Sequence, residues 1–155
     1  MKKIIFVLLL ALSSCSIQQR FVQIEPISQS FEVEGTRNDL FVKANNWMVE
    51  TFNNAESVIQ FSDKESGSVT GKYLLKKSVV YDGYKADDAS IFAIIKLQTK
   101  DGAARITIDP DDFNEVNSTL VKKELWYTEE TTRQQVADLI SSYENYLKND
   151  TSTEW

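Results

Sequence analysis

The chain has 155 residues, of which 42% are hydrophobic and 26% charged, a balance typical of one globular domain rather than of a disordered chain. Its formal net charge is −6, and an acidic surface repels nucleic-acid phosphates and anionic lipid, so nucleic acid is not an expected partner. It contains no histidine and one cysteine, which excludes Ser-His-Asp and Cys-His catalysis, histidine-bound zinc and an internal disulfide.

A signal peptide is predicted at the N-terminus. Lys2 and Lys3 precede the apolar residues 4–12, a run too short for a membrane-spanning helix, which needs roughly 20 residues. This pattern fits the charged and apolar regions of a secretory signal peptide. Residues 12–15 (LSSC) then resemble the lipobox of bacterial lipoproteins, in which an aliphatic residue and two small residues precede a cysteine.

The lipobox resemblance implies cleavage between Ser14 and Cys15, a diacylglyceryl group on the Cys15 thiol, and palmitate or a similar acyl chain on the new amine. Two or more acyl chains anchor a protein stably, whereas a single chain gives only marginal binding. Ser16, rather than aspartate, follows the cysteine, which favours the outer membrane over the inner. The prediction is a lipid-anchored protein of the cell envelope; the alternative is an ordinary signal peptide followed by an incidental cysteine.

Four segments are predicted along the chain. They are a signal peptide at 1–14, the lipidated cysteine and a tether at 15–29, a folded domain at 30–148, and a disordered tail at 149–155. The tether is predicted because residues 16–29 follow no apolar period and contain Pro26, which disfavours a helix.

The folded domain is predicted to begin with a strand over 30–34 and a helix that starts after Thr36. Thr36 and Asp39 resemble a capping box, in which each side chain accepts a hydrogen bond from the other residue's backbone N–H. Apolar residues follow at helical spacing, and the helix is expected to end at Asn53-Asn54. The predicted buried stripe comprises Leu40, Ala44, Trp47, Met48, Thr51 and Phe52.

Strands dominate the middle of the chain. Four are predicted, over 57–62, 68–81, 90–100 and 104–109. The strand 90–100 is the most apolar and is expected at the centre of a sheet, and Asp101-Gly102 is a strong hairpin-turn signal. Residues 113–127 fit no single period and are expected to be irregular, whereas 130–148 form an amphipathic helix.

The predicted fold class is α+β. The element order is β-α-β-β-β-β-α, and turns rather than long crossovers join the strands. We therefore expect a single antiparallel sheet with the two amphipathic helices on one face and the other face partly solvated.

A family resemblance is carried by Val33-Glu34-Gly35 and by residues 44–47 (ANNW), 51–55 (TFNNA), 58–65 (VIQFSDKE) and 67–72 (GSVTGK). These stretches are similar to a domain of unknown function with a TBP-like fold, found in envelope proteins and lipoproteins of Gram-negative bacteria. The resemblance covers roughly residues 30–113 and implies the same strand and helix order, with no established activity and no catalytic residues. The fold name does not imply DNA binding, because a fold does not determine function.

No catalytic group, metal site or cofactor is predicted from the remaining residues. Asp109, Asp111 and Asp112 cluster after a strand, but they do not match the calcium-loop pattern, and a turn-forming role is expected. Two carboxylates could act together as in glycosidases, although nothing in the sequence selects a particular pair.

A candidate binding face is predicted on and after the long strand, where basic and aromatic residues mix. Its residues are Lys72, Tyr73, Lys76, Tyr81 and Tyr84. The alternative is a solvated strand whose lysines discourage pairing at a sheet edge.

The functional prediction is a membrane-anchored envelope lipoprotein of unknown specific function that acts as a non-enzymatic binding module. Its expected partners are the membrane, through the lipid, and an envelope protein or glycan, bound on the sheet face that the helices leave uncovered. Two alternatives stay open: a carboxylate-dependent hydrolase of envelope polysaccharide, and a structural subunit of an envelope assembly.

Overall fold

The structure is a computed structural model that describes residues 18–52, 58–77, 80–81, 84–85, 90–117 and 127–149. The predicted signal peptide, Cys15 and residues 150–155 of the predicted tail lie outside these ranges. The strands are β1 (Gln18–Val22), β2 (Ile27–Glu32), β3 (Val58–Asp63), β4 (Ser68–Lys76), β5 (Val80–Tyr81), β6 (Tyr84–Lys85), β7 (Ile91–Lys100), β8 (Ala103–Pro110) and β9 (Phe113–Asn117). The helices are α1 (Arg37–Thr51) and α2 (Glu129–Lys148).

A five-stranded sheet forms the centre of the molecule, in the order β2-β8-β7-β4-β3, and every neighbouring pair is antiparallel. The apolar strand β7 lies in the middle, as predicted. It is joined to β8 by the predicted Asp101-Gly102 turn, where Gly102 has a φ of 72°, a conformation that favours glycine. This turn sets the pairing of Lys100 with Ala103 and of each later pair in the hairpin.

The prediction of a single sheet is wrong. β1 pairs with β9, and β5 pairs with β6, in two further sheets of two strands each. The β1–β9 pair joins segments that lie far apart in the chain, with Val22 opposite Phe113. Periodic patterns in a sequence reflect only local structure. They therefore do not show that two short strands so far apart in the chain pair with each other.

The predicted tether is also wrong over most of its length, because β1 occupies residues 18–22 and β2 begins at Ile27. Val22 and Ile24 are buried in the core, which ties this segment to the fold rather than leaving it as a spacer. The irregular structure expected over 113–127 begins instead with a strand, β9. Residues 118–126 lie outside the described part of the chain.

Helix α1 begins at the predicted capping box. The Thr36 hydroxyl accepts the Asp39 N–H at 3.3 Å, and the Asp39 carboxylate accepts the Thr36 N–H at 3.3 Å. The Thr36 hydroxyl also donates to that carboxylate at 2.8 Å, and these bonds lower the pKa of Asp39. The predicted stripe is buried at Leu40, Ala44, Trp47, Met48 and Phe52, whereas Thr51 is exposed.

The β7–β8 hairpin turn is fastened to the start of α1. The Asp101 carboxylate accepts the Arg37 N–H at 2.7 Å, which satisfies one of the N–H groups that a helix start leaves without a partner. The Gly102 N–H donates to the Gly35 carbonyl at 3.0 Å. These bonds hold the end of the sheet against the helix layer.

Both helices pack on the same face of the five-stranded sheet. Val136, Tyr143 and Leu147 of α2 are buried, as the apolar period predicts, and Leu139 and Ile140 are half-buried. The Trp47 ring lies 4.9 Å from the Tyr143 ring, and its Nε1 donates to Ser142 Oγ at 3.1 Å, so Trp47 joins α1 to α2. In the described part of the chain, neither helix has both the length and the hydropathy needed to cross a bilayer.

Tyr143 carries a hydroxyl that is buried and has no hydrogen-bond partner among the described residues, and burial raises its pKa. An unsatisfied buried donor costs about 1–3 kcal/mol. We expect Tyr143→Phe to raise the free energy of unfolding by about 1 kcal/mol, because the aromatic contacts stay and the buried hydroxyl is removed. Urea titration followed by tryptophan fluorescence measures the change.

Tyr127→Phe is the matched control, because the Tyr127 hydroxyl donates to Gln135 Oε1 at 2.8 Å. Removing a satisfied hydroxyl should lower the free energy of unfolding by about 1 kcal/mol. A loss of stability for Tyr143→Phe equal to that of the control would mean that the Tyr143 hydroxyl has a partner in solution.

Candidate functional site

The five-stranded sheet has two chemically different faces. In β7 the odd-numbered residues from Ile91 to Thr99 are buried under the helices, whereas Lys96, Gln98 and Lys100 are exposed on the opposite side. Residues directly opposite each other in antiparallel strands point to the same face, so the strand register assigns the other residues to their sides. We call the side away from the helices the outer face.

The outer face is rich in cations and hydroxyl groups. Its described residues include Ser28, Ser30, Phe61, Ser68, Thr70, Lys72, Leu74, Phe92, Ile94, Lys96, Gln98, Lys100, Arg105 and Thr107. Three acidic residues, Glu32, Asp63 and Asp109, lie on the same face, and Asp109 is opposite Ile94 on the interior strand β8. The cations Lys72, Lys96, Lys100 and Arg105 thus outnumber the acidic residues by one on this face, in a chain whose formal net charge is −6.

Three of the cations form a straight diagonal across the central strands. Lys72 of β4 lies opposite Ile94, Lys96 is two residues farther along β7, and Arg105 of β8 lies opposite Gln98, two residues farther again. The Cα atoms of neighbours on such a diagonal are roughly 8 Å apart. We call this set the cation diagonal.

Local contacts position the two ends of the cation diagonal. Lys72 Nζ lies 4.1 Å from the centre of the Phe92 ring, a cation–π contact that fixes the direction of the side chain. Arg105 Nε donates to Ser30 Oγ at 3.0 Å. This bond does not use the two terminal nitrogens of the guanidinium group. Lys96, at the centre, is exposed and forms no ion pair with the described residues.

Phe61 lies in the same cross-strand row as Lys96. It faces Thr70 on β4, which faces Lys96 on β7, and Thr107 and Ser28 complete the row. The Phe61 ring is 54% exposed on the edge strand β3. The Ser28 and Thr107 hydroxyls bond each other at 2.8 Å, so this row ends in a pair of oriented hydroxyl groups.

A cavity of about 560 Å³ opens at the Arg105 end of the diagonal. Its polar lining includes Ser30, Glu32, Gln98, Lys100 and Arg105. This volume is within the range of small-ligand pockets, roughly 300–1,000 Å³. The outer face thus combines the cation diagonal with a cavity at its Arg105 end.

The structure separates the five residues of the predicted binding face. Lys72 lies on the outer face, but Tyr73 is on the helix side, where its ring packs 4.7 Å from Phe52. The register shifts between Leu74 and Lys76, which turns Lys76 to the helix side as well, 5.9 Å from the Tyr127 ring. Tyr81 and Tyr84 pair with each other in the short β5–β6 ribbon, and their side chains lie outside the described part of the structure.

Lys96, Arg105 and Phe61 were not included in the predicted face. Strand parity alone could have selected Arg105, because it lies in β8 between the apolar residues Ala104 and Ile106, which are buried. Lys96 follows from the Asp101-Gly102 turn, because the turn sets the register of β7 against β8. Phe61 had no such signal, since the register shift in β3 between Ile59 and Phe61 reverses its expected side.

A second cavity, of about 580 Å³, lies between the β1–β9 pair and the start of α2. Arg20 Nη2 contacts the carboxylates of Glu115 at 2.7 Å and of Glu129 at 3.1 Å. Hydrogen bonds from Arg133, and then from Arg20, lower the pKa of Glu129. A glycosidase-type general acid needs a raised pKa, so these carboxylates fit a surface ion-pair cluster that links the strand pair to α2.

Asp109, Asp111 and Asp112 were predicted to form a turn, but Asp109 lies within β8, and Asp111 and Asp112 link β8 to β9 with Asp111 bonded to β7. The Asp111 carboxylate accepts the Phe92 N–H at 3.2 Å, and its own N–H donates to the Phe92 carbonyl at 2.8 Å. Among the residues that the structure describes, no three acidic side chains group together as metal ligands would.

Comparison with known proteins gives a family match. The model of a domain of unknown function (DUF4468) with a TBP-like fold matches residues 29–113, from within β2 to the first residue of β9. A solved DUF4468 family protein from Bacteroides ovatus is similar at 14% identity over 78% of each chain, with a TM-score of 0.40. A solved TBP-like protein from Parabacteroides distasonis is similar at 13% identity over 77% of this chain and 92% of that chain, with a TM-score of 0.45. None of the curated proteins matches the chain.

Proposed function

The chain belongs to the family described as a domain of unknown function (DUF4468) with a TBP-like fold, and from this premise we propose that it is a lipid-anchored envelope protein whose outer face binds a partner without catalysing a reaction. The partner class at this stage is an envelope protein or glycan. The observation that carries the proposal is the cation diagonal of the outer face, with the exposed Phe61 beside it, on an acidic chain.

The anchor is supported by the N-terminal sequence. Lys2, Lys3 and the apolar residues 4–12 precede the lipobox-like residues 12–15 (LSSC). An acidic chain gains nothing from anionic lipid headgroups, so a covalent lipid on Cys15 supplies the attachment that charge does not. Ser16 favours the outer membrane as the destination.

The binding role is supported by two residues of the outer face. Antiparallel sheets commonly leave one face in water, as Lys96, Gln98 and Lys100 do here, so the support comes from Phe61 and Arg105. The exposed ring of Phe61 adds apolar surface that a partner can bury. Aromatic residues and Arg are enriched at protein interfaces.

The non-enzymatic character is supported by the carboxylate pair in the second cavity. Arg20 pairs with both Glu115 and Glu129, and the hydrogen bonds of Glu129 with Arg133 and then with Arg20 lower the pKa of Glu129, which favours its ionised form. A hydrolase of envelope polysaccharide would need one protonated carboxyl group.

Photocrosslinking in intact cells tests the binding surface. We expect a photoreactive p-benzoylphenylalanine in place of Phe61 to give a covalent adduct with a defined envelope component, because this ring borders the cation diagonal. The same replacement of Ala137, an exposed residue of α2, is the control and should give no such adduct. Identical adduct patterns from the two positions, or none from position 61, would contradict a partner on the outer face.

A further inference from the structure

We infer that the partner of the outer face is an acidic polysaccharide, which binds along the cation diagonal with its negative groups paired to Lys72, Lys96 and Arg105. The inference rests on the proposed function, since it names the class of ligand for the same surface. It draws on three features: the spacing of the cations, the hydroxyl groups between them, and the cavity at one end.

The spacing favours a sparsely charged polymer. The Cα atoms of neighbouring cations on the diagonal are roughly 8 Å apart, because each step crosses one strand and advances two residues. A nucleic-acid strand carries a negative charge on every nucleotide, which is a denser charge than three separate cations match. A polysaccharide with a carboxylate on every second sugar leaves a neutral ring between its charges.

The groups between the cations suit neutral sugar rings. Thr70 and Thr107 flank Lys96 on either side, and hydroxyl groups both donate and accept hydrogen bonds, as sugar hydroxyls require. Phe61, in the same row, offers an exposed ring face to the apolar C–H side of a sugar. Neutral polar and apolar groups therefore lie beside the cations of the diagonal.

The cavity on the outer face lies at the Arg105 end of the cation diagonal. It is about 560 Å³ in volume and is lined by Lys100, Arg105, Gln98 and Ser30. A cavity of this size encloses a small ligand or one end of a chain, whereas the rest of the outer face is shallow. Lys100 and Arg105 at its wall can pair with an acidic sugar, and together they outnumber the acidic Glu32 of the same lining.

The test uses the full chain purified in mild detergent, with immobilised hyaluronate, which has a carboxylate on every second sugar. Neutral dextran and single-stranded poly(dT) are the comparison ligands. We expect hyaluronate to bind, with an affinity that falls as salt rises, and dextran and poly(dT) to bind at least about tenfold more weakly. Lys96→Glu should weaken hyaluronate binding by about tenfold or more, because it replaces an attraction by a repulsion at the centre of the diagonal.

Lys64→Glu is the matched control, since Lys64 is exposed in the β3–β4 turn and the substitution makes the same change in net charge. It should leave hyaluronate binding within about twofold, well under the 1.4 kcal/mol that a tenfold change represents. Equal loss in the two variants, or equal binding of dextran, would overturn the inference, as would tighter binding of poly(dT). Absence of hyaluronate binding while the position 61 adduct still forms would overturn the ligand class alone, whereas absence of both would overturn the proposed function as well.

Discussion

Gly67→Ala should lower the free energy of unfolding by about 3–5 kcal/mol, the largest loss we expect from adding a single methyl group. A Cβ at this position would lie 2.6 Å from the Thr99 carbonyl oxygen and 2.8 Å from Thr99 Oγ1. The first of these atoms is backbone of the central strand and cannot rotate away. The φ of Gly67 is +65°, which adds the cost of a left-handed conformation for alanine.

The hydrogen bonds around Gly67 oppose any backbone movement that would relieve the clash with Thr99. The Gly67 carbonyl accepts the Thr99 N–H at 2.8 Å and the Thr99 hydroxyl at 3.2 Å, and that hydroxyl also approaches the Arg37 carbonyl. Moving the β3–β4 turn away from β7 would break these bonds in a buried place, at about 1 kcal/mol each. Urea titration gives the change in the free energy of unfolding.

Gly102→Ala is the matched control for this substitution. Gly102 has a similar φ of +72°, but a Cβ there would meet nothing within 4 Å. Its cost should be only that of the left-handed backbone, roughly 1–2 kcal/mol. Equal losses for Gly67→Ala and Gly102→Ala would show that the approach of Thr99 is not as close as the structure has it.

Cys15→Ser should abolish incorporation of a fatty-acid probe and move the chain from the membrane fraction to the soluble fraction. The expected change is all or none, because the hydroxyl of serine does not accept the diacylglyceryl group that a thiol forms as a thioether. Two acyl chains give stable anchoring, so their loss removes the attachment rather than weakening it. The measurements are gel fluorescence of the labelled protein and immunoblots of fractionated cells.

Ser16→Ala is the control for Cys15→Ser, since it changes the neighbouring residue and keeps the thiol. It should incorporate the probe and fractionate as the natural chain does. A Cys15→Ser chain that still fractionates with membranes would refute the lipid anchor and leave the alternative of an ordinary signal peptide.

The elements held together by local contacts could be predicted from the sequence. The Thr36–Asp39 capping box and the Asp101-Gly102 turn each depend on residues a few positions apart, and both are observed. The central place of β7 also followed, because a strand covered on one face and flanked on both edges is the most apolar.

The elements that depend on distant pairing could not be predicted. β1 and β9 lie far apart in the chain. Arg20 contacts Glu115 and Glu129 only in the folded protein. The segment at 15–29 was therefore assigned to a tether, although Val22 and Ile24 are buried. Periodicity does not report contacts between residues so far apart.

The candidate site was only partly predictable for a related reason. The uncovered sheet face was expected, and Lys72 lies on it, but the other assigned side chains that the structure describes, Tyr73 and Lys76, do not. The shift between Leu74 and Lys76 reverses the side of Lys76, and strand parity in a sequence cannot reveal such a shift. The cation diagonal needs the register of β4 against β7, which their long connection leaves undetermined.

The central claim is that a lipid anchor holds the outer face within reach of its envelope partner. The most direct measurement is the adduct yield from the photoreactive residue at position 61, compared at equal expression in the natural chain and in a Cys15→Ser background. We predict a strong adduct in the first and little or none in the second. Equal yields in the two backgrounds, or no adduct in either, would contradict the claim.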